Sequence, residues 1–140
     1  MKVKIQKSRP DAIIPKYSHV GDAGFDLYAC EDIVLNSFER ALVPTGIRLA
    51  IPEGHVGLIW DKSGLASKNG LKTMGGVVDS GYRGEIGILV KNLGKDPIQI
   101  KKQTKVAQML IQPIVRVDFE ETDLDDTARG ERGFGSTGLE

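Results

Sequence analysis

The chain has 140 residues, with 19 Lys+Arg balanced by 19 Asp+Glu, 40% apolar content and a formal net charge of zero. That length fits one domain with a core that needs no staples, and the balanced charge lacks the basic footprint of a nucleic-acid polymer binder. A single cysteine, Cys30, rules out an internal disulfide, and His19 and His55 add too few soft ligands for a structural zinc site.

Seventeen glycines and six prolines punctuate the chain, which suits short strands and turns better than long helices. Val3 and Ile5 alternate with Lys and Gln, reading as a half-buried strand rather than a signal peptide's apolar core. A second strand is expected at Phe25–Ala29. In Glu31–Val43, the residues Ile33, Val34, Phe38, Ala41 and Leu42 could share a helical face. Asn36-Ser37 in the middle favours two strands and a turn, which is the reading taken. Ile47–Ile51 and Val56–Trp60 follow, separated by Pro52-Glu53-Gly54, with Trp60 expected in the core. Leu65–Lys68 suits a helical turn, Gly76–Val78 leads into a hairpin at Ser80-Gly81, and Ile86–Val90 and Val106–Val117 read as strands. Val106–Val115, the longest uncharged run, has ten residues, against about 18 for a membrane span. The expectation is a soluble, cytoplasmic, all-β chain that engages no membrane.

From Asp118 to Asp126 six of nine residues are acidic, and a glycine-rich piece with Arg129, Arg132 and Phe134 follows. It has little to bury, so a β body over 1–127 with a mobile arm over 128–140 is expected.

Four places could carry chemistry. Asp79 ends an apolar run before a tight turn, where a carboxylate can hold a water or metal on a rigid platform, or simply start the turn. Lys62-Ser63-Gly64 sets a cation, a hydroxyl and a backbone amide together; it can bind phosphate, or Ser63 can cap the helical turn. Gln108 lies among apolar residues and needs partners if buried, unless it sits on a solvated face. The arm can wrap an anion and stack Phe134 on a base, or remain a disordered tail. His19 and His55 read as solvated loop histidines.

The order of these segments resembles the five motifs of the trimeric dUTPase family. The motifs match Ala23–Ala29, Lys62–Ala66, Gly76–Glu85, Lys105–Met109, and Arg129-Gly130 with Gly133–Gly138, from about residue 13 to the end. Each is weak singly, and five in order are strong.

The resemblance implies a jelly-roll-like β fold and a homotrimer with active sites between subunits. It implies cleavage of dUTP to dUMP and pyrophosphate with Mg²⁺. Asp79 would activate the water that attacks the α-phosphorus, and Tyr82 would exclude a ribose 2′-hydroxyl. The hairpin backbone from Gly76 and Val77 onward would read uracil. Lys62, Ser63, Gly64 and Gln108 would bind phosphates and the water, while Asp26 would reach Mg²⁺ through water. Arg129, Ser136 and Thr137, with Gly135 between them and Phe134, would close on the γ-phosphate and the uracil ring. Departures from the family pattern are Lys62 for arginine, Asp61 for proline, Phe25 for tyrosine, Met74 for glycine or asparagine, and Arg132 for glycine.

Two rivals share this fold or its architecture. A dCTP deaminase, alone or bifunctional, needs a glutamate beyond the third motif, and Ile86–Val90 has no carboxylate. A non-catalytic nucleotide-binding sandwich would have no use for a water-activating Asp79.

Overall fold

A computed structural model describes residues 1–133. The expected contacts of Phe134, Gly135, Ser136 and Thr137 lie outside those residues.

Short strands pair antiparallel throughout. β1 (Lys4–Lys7) pairs with β5 (Ile47–Ala50), setting Ile5 opposite Leu49. β3 (Ile33–Leu35) pairs with β10 (Ile98–Ile100). Four strands form the sheet that matters most here, in the order β2 (Phe25–Tyr28), β11 (Lys105–Pro113), β6 (His55–Asp61), β8 (Val77–Val78). Three more make a sheet in the order β4 (Arg40–Pro44), β9 (Gly87–Asn92), β7 (Leu71–Thr73). The fold is a jelly-roll-like all-β sandwich with one short helix, α1 (Ser63–Asn69).

Period-2 alternation explains the core. Along β9 the inward Ile88, Val90 and Asn92 are buried, while the residues between them are not. With Leu27, Leu35, Val43, Ile47, Val106 and Met109, most of these side chains make one apolar cluster. Buried Asn92 is satisfied: its Nδ2 donates to the Leu35 and Asp96 carbonyls at 3.1 and 2.8 Å, and its Oδ1 accepts from Gly94 N–H at 2.8 Å.

The Glu31–Val43 stretch does form two strands, β3 and β4, around Asn36-Ser37. Three expectations change. Trp60 is 53% exposed, because its neighbour Ile59 takes the inward side of β6. The last strand stops at Pro113 rather than Val117, since its partner β6 begins at His55, opposite Pro113. The helical turn extends to Ser63–Asn69, and Ser63 is its first residue rather than its cap; the cap position is Lys62, with no side-chain hydrogen bond.

Beyond Pro113 the described residues form no strand or helix, and those from Gln112 to Arg132 are exposed apart from the final strand residues' backbone pairing. Among the described residues no helix is long and apolar enough to cross a membrane.

Candidate active site

The register of the four-stranded sheet assembles the first half of the site. Gln108 on β11 lies opposite Asp26 on β2 and opposite Trp60 on β6. Directly paired residues face the same way, so the three side chains form a row on one sheet face. They line an open cleft of about 960 Å³ together with Ser18, Lys62, Ser63, Gly64 and Lys105.

Asp26 is the anchor, only 4% exposed. Its Oδ1 accepts from Lys62 Nζ at 2.5 Å; its Oδ2 accepts from Lys105 Nζ at 2.6 Å and from Ser18 Oγ at 2.8 Å. Burial works to raise the Asp26 pKa, but the hydrogen bonds from Lys105, Lys62 and Ser18 outweigh it and hold the carboxyl at about 2. Asp26 is therefore anionic at neutral pH. The two ammonium groups beside Asp26 are the cations an anionic ligand would recruit, in a cleft that Asp22 and Asp61 also line. Gln108 Nε2 donates to the Asp61 carbonyl at 2.9 Å. Gly24 gives the amide room, since a Cβ there would come within 2.8 Å of Gln108 Oε1.

The second half is a smaller groove of about 280 Å³, lined by Gly76, Val77, Asp79, Tyr82 and Glu85 among others. Gly76 has φ +97°, and a Cβ would lie 2.8 Å from the Ile59 carbonyl oxygen, so glycine is required there. The Gly76 carbonyl accepts from Ile59 N–H at 2.8 Å, which fixes the start of this segment on β6. The turn at Ser80-Gly81 does not close the expected hairpin: β8 pairs with β6 and β9 with β4 and β7, so the segment crosses from one sheet to the other. Asp79 follows β8 directly, and its carbonyl accepts from Tyr82 N–H at 3.1 Å. The Asp79 side chain is exposed. Tyr82, 47% exposed, donates its hydroxyl to the Glu85 carbonyl at 3.0 Å. Glu85 ties the segment's far end down, accepting from Ser8 Oγ at 2.7 Å and from Gly46 N–H at 3.0 Å. Its burial favours the neutral acid, yet these bonds and nearby Arg9 leave its pKa below the ordinary value.

The structure thus brings Asp26, Lys62, Ser63, Gly64 and Gln108 to one cleft, and Gly76, Val77, Asp79 and Tyr82 to another. The two share no lining residue. Arg129 lines neither; it is exposed and donates its Nε to the Arg132 carbonyl at 2.9 Å. Sequence reasoning passed over Ser18, Lys105 and Glu85. Lys105 adjoins Val106 in the fourth motif and could have been found there; Ser18 carried no signal before the loop was placed. Among the described residues, no group of three or more His, Cys, Asp or Glu side chains is placed to hold a metal ion.

The family model for dUTPase matches residues 10–138. The chain belongs to the dUTPase family. Two relatives named deoxyuridine 5′-triphosphate nucleotidohydrolase cover almost its whole length. One, from Gloeothece citriformis, is 47% identical over 99% of this chain and 98% of its own. The other, from Clostridium novyi, is 44% identical over 99% and 100%. Among solved structures, the dUTPase of Staphylococcus bacteriophage 80alpha with dUpNHpp superposes with a TM-score of 0.93 at 29% identity, covering 99% of both chains. A mutant dUTPase from phage phi11 of S. aureus, solved to reveal coordination of a structural Mg(II) ion, gives 0.84 at 28% identity over 89% of this chain and 98% of that one.

Proposed function

We infer that this dUTPase-family chain hydrolyses dUTP to dUMP and pyrophosphate. The observation that carries the reading is the pair of clefts: one where Lys62 and Lys105 stand beside Asp26, able to donate to a triphosphate, and one where a rigid turn presents Asp79 and Tyr82. In this reading Asp79 takes a proton from a water whose oxygen attacks the α-phosphorus. The bond from that phosphorus to the bridging oxygen breaks, and pyrophosphate leaves. Lys62, Ser63, Gly64 and Gln108 bind phosphate oxygens and orient the water. The backbone at Gly76 and Val77 reads the uracil edge, and the Tyr82 ring occupies the space of a ribose 2′-hydroxyl.

In this reading the two clefts are halves of one site in a homotrimer, one subunit's phosphate cleft meeting the Asp79 turn of a neighbour. The arm over 128–140 would then close the site, Arg129, Ser136 and Thr137 on the γ-phosphate and Phe134 with Gly135 over the base. The donor set also fits Mg²⁺, which keeps several waters and needs only one or two carboxylates beside substrate phosphates. Asp26, ionised, would hold it through water, with Lys62 and Lys105 turning from its carboxylate to the phosphates. Bound there, Mg²⁺ would supply neutralisation of the triphosphate's charge. A cytoplasmic setting accords with a buried free thiol at Cys30.

The test is pyrophosphate release from dUTP, dCTP, dTTP and UTP by the purified protein with Mg²⁺. The expected result is turnover of dUTP far above the other three. Comparable kcat/KM for dTTP or UTP would contradict the role of the Gly76–Glu85 segment, and ammonia release from dCTP would favour the deaminase relatives.

A further inference from the structure

The residue just before Lys62 does more than end a strand. Asp61 closes β6 in the four-stranded sheet, and Thr73 closes β7 in the other sheet. The Asp61 carboxylate joins them. Its Oδ1 accepts from Thr73 N–H at 2.6 Å and from Thr73 Oγ1 at 2.7 Å, and its Oδ2 accepts from Lys72 Nζ at 2.7 Å. Thr73 is 9% exposed, so both of its donors depend on this carboxylate. The segment between the two anchors contains Lys62, Ser63, Gly64 and all of α1, held at both ends by one side chain. On the other side, the Asp61 carbonyl receives the Gln108 amide. Desolvation of Asp61 is outweighed by Lys72 and Thr73, so the carboxyl stays below its ordinary pKa.

We propose that Asp61 is a positioning residue for triphosphate recognition, fixing the end of β6 from which Lys62, Ser63 and Gly64 project and holding the carbonyl that orients Gln108. The proposal rests on the functional reading above. It makes a selective claim: Asp61 governs the phosphate half of the site and leaves the half around Asp79 alone, because Asp61 lines the large cleft and not the groove around Asp79.

Binding of dUpNHpp and of dUMP, measured by calorimetry on the intact protein, separates positioning from mere stability. For Asp61→Ala the dUpNHpp Kd should rise about 10- to 100-fold, the scale of a misplaced binding group, while the dUMP Kd stays within about twofold. Asp61→Asn keeps an oxygen for Thr73 and should restore most of the dUpNHpp affinity. Thr73→Val, which removes only the hydroxyl, should weaken dUpNHpp several-fold with dUMP again unchanged; it carries the test if Asp61→Ala does not fold. Equal weakening of both ligands, or no change in either, would overturn the proposal. A wild-type protein that binds neither ligand would instead overturn the functional reading beneath it.

Discussion

The cleft around Asp26 and the groove around Asp79 each centre on an aspartate, yet the two carboxylates are held very differently. Asp26 is buried and gripped by Lys62, Lys105 and Ser18. Asp79 is exposed on a turn whose rigidity comes from backbone bonds and from Gly76 passing tightly over Ile59. The first arrangement satisfies charges internally and stores two cations beside a cleft. The second leaves a carboxylate open to water while fixing the chain that bears it. A phosphate site needs ready cations and a base needs access to its water, so the contrast matches the two jobs assigned here.

The contrast breaks most sharply at Asp79. Asp79→Asn keeps shape and hydrogen bonding to water but removes the base. Steady-state kinetics should show kcat for dUTP lower by about 10²–10⁴, with dUpNHpp affinity retained. Near-full kcat would mean that the groove does not supply the base.

Ending the chain after Thr127 should be next in size. Of the segment removed, the described residues Ala128–Arg132 are exposed, and its only large apolar residues are Phe134 and Leu139, so the melting temperature should hardly move. Activity should fall by about 10²-fold, as expected when a closing segment no longer positions the substrate. Unfolding of the truncated chain, or full activity, would each contradict a closing role.

At Asp26 the expected effect is on stability. Its folded pKa of about 2 lies below the ordinary aspartate value, so the stabilisation is complete above about pH 4 and is lost as pH falls towards 2. The shift corresponds to about 2 kcal/mol. Urea titrations should find Asp26→Asn less stable than wild type by that amount at pH 7, with the gap closing between about pH 4 and 2. A gap that persists at pH 2 would show that Asp26 acts through packing rather than charge. Asp61 and Glu85, shifted in the same direction, add to the wild-type protein's acid sensitivity.

The smallest change is Tyr82→Phe. It deletes one exposed hydrogen bond to the Glu85 carbonyl, costing at most about 1 kcal/mol. The ring remains, so kcat/KM for UTP should stay low; Tyr82→Ala should raise it, and equal UTP rates for both variants would remove the ring from sugar selection.

Local pattern made the groove the more legible half. Apolar runs, a strand-ending aspartate and Ser80-Gly81 are all contiguous, and β8 with its turn lies where they put it, although β8 and β9 join different sheets instead of pairing as a hairpin. The cleft depends on register between strands far apart in sequence. Nothing in Phe25–Ala29 shows that Asp26 meets Lys62 and Lys105, because those contacts follow from β2 and β6 flanking β11. Trp60 went wrong for a related reason. An apolar run names a strand without stating which alternate residues face in, and the inward side of β6 belongs to Ile59. The strand end at Pro113 was equally hidden, since it is set by where the partner β6 begins.

The central claim is that the two clefts meet across subunits, and mixed oligomers test it most directly. Asp79→Asn and Gln108→Ala chains, each of low activity alone, should be unfolded together, refolded as a mixture and assayed with dUTP. If one subunit's Asp79 works with another's Gln108, random mixing in a symmetric trimer leaves about one site in four with both native groups. Activity should then rise well above the sum of the separate variants. A mixture no more active than that sum, with mixed oligomers verified by native mass spectrometry, would contradict the account.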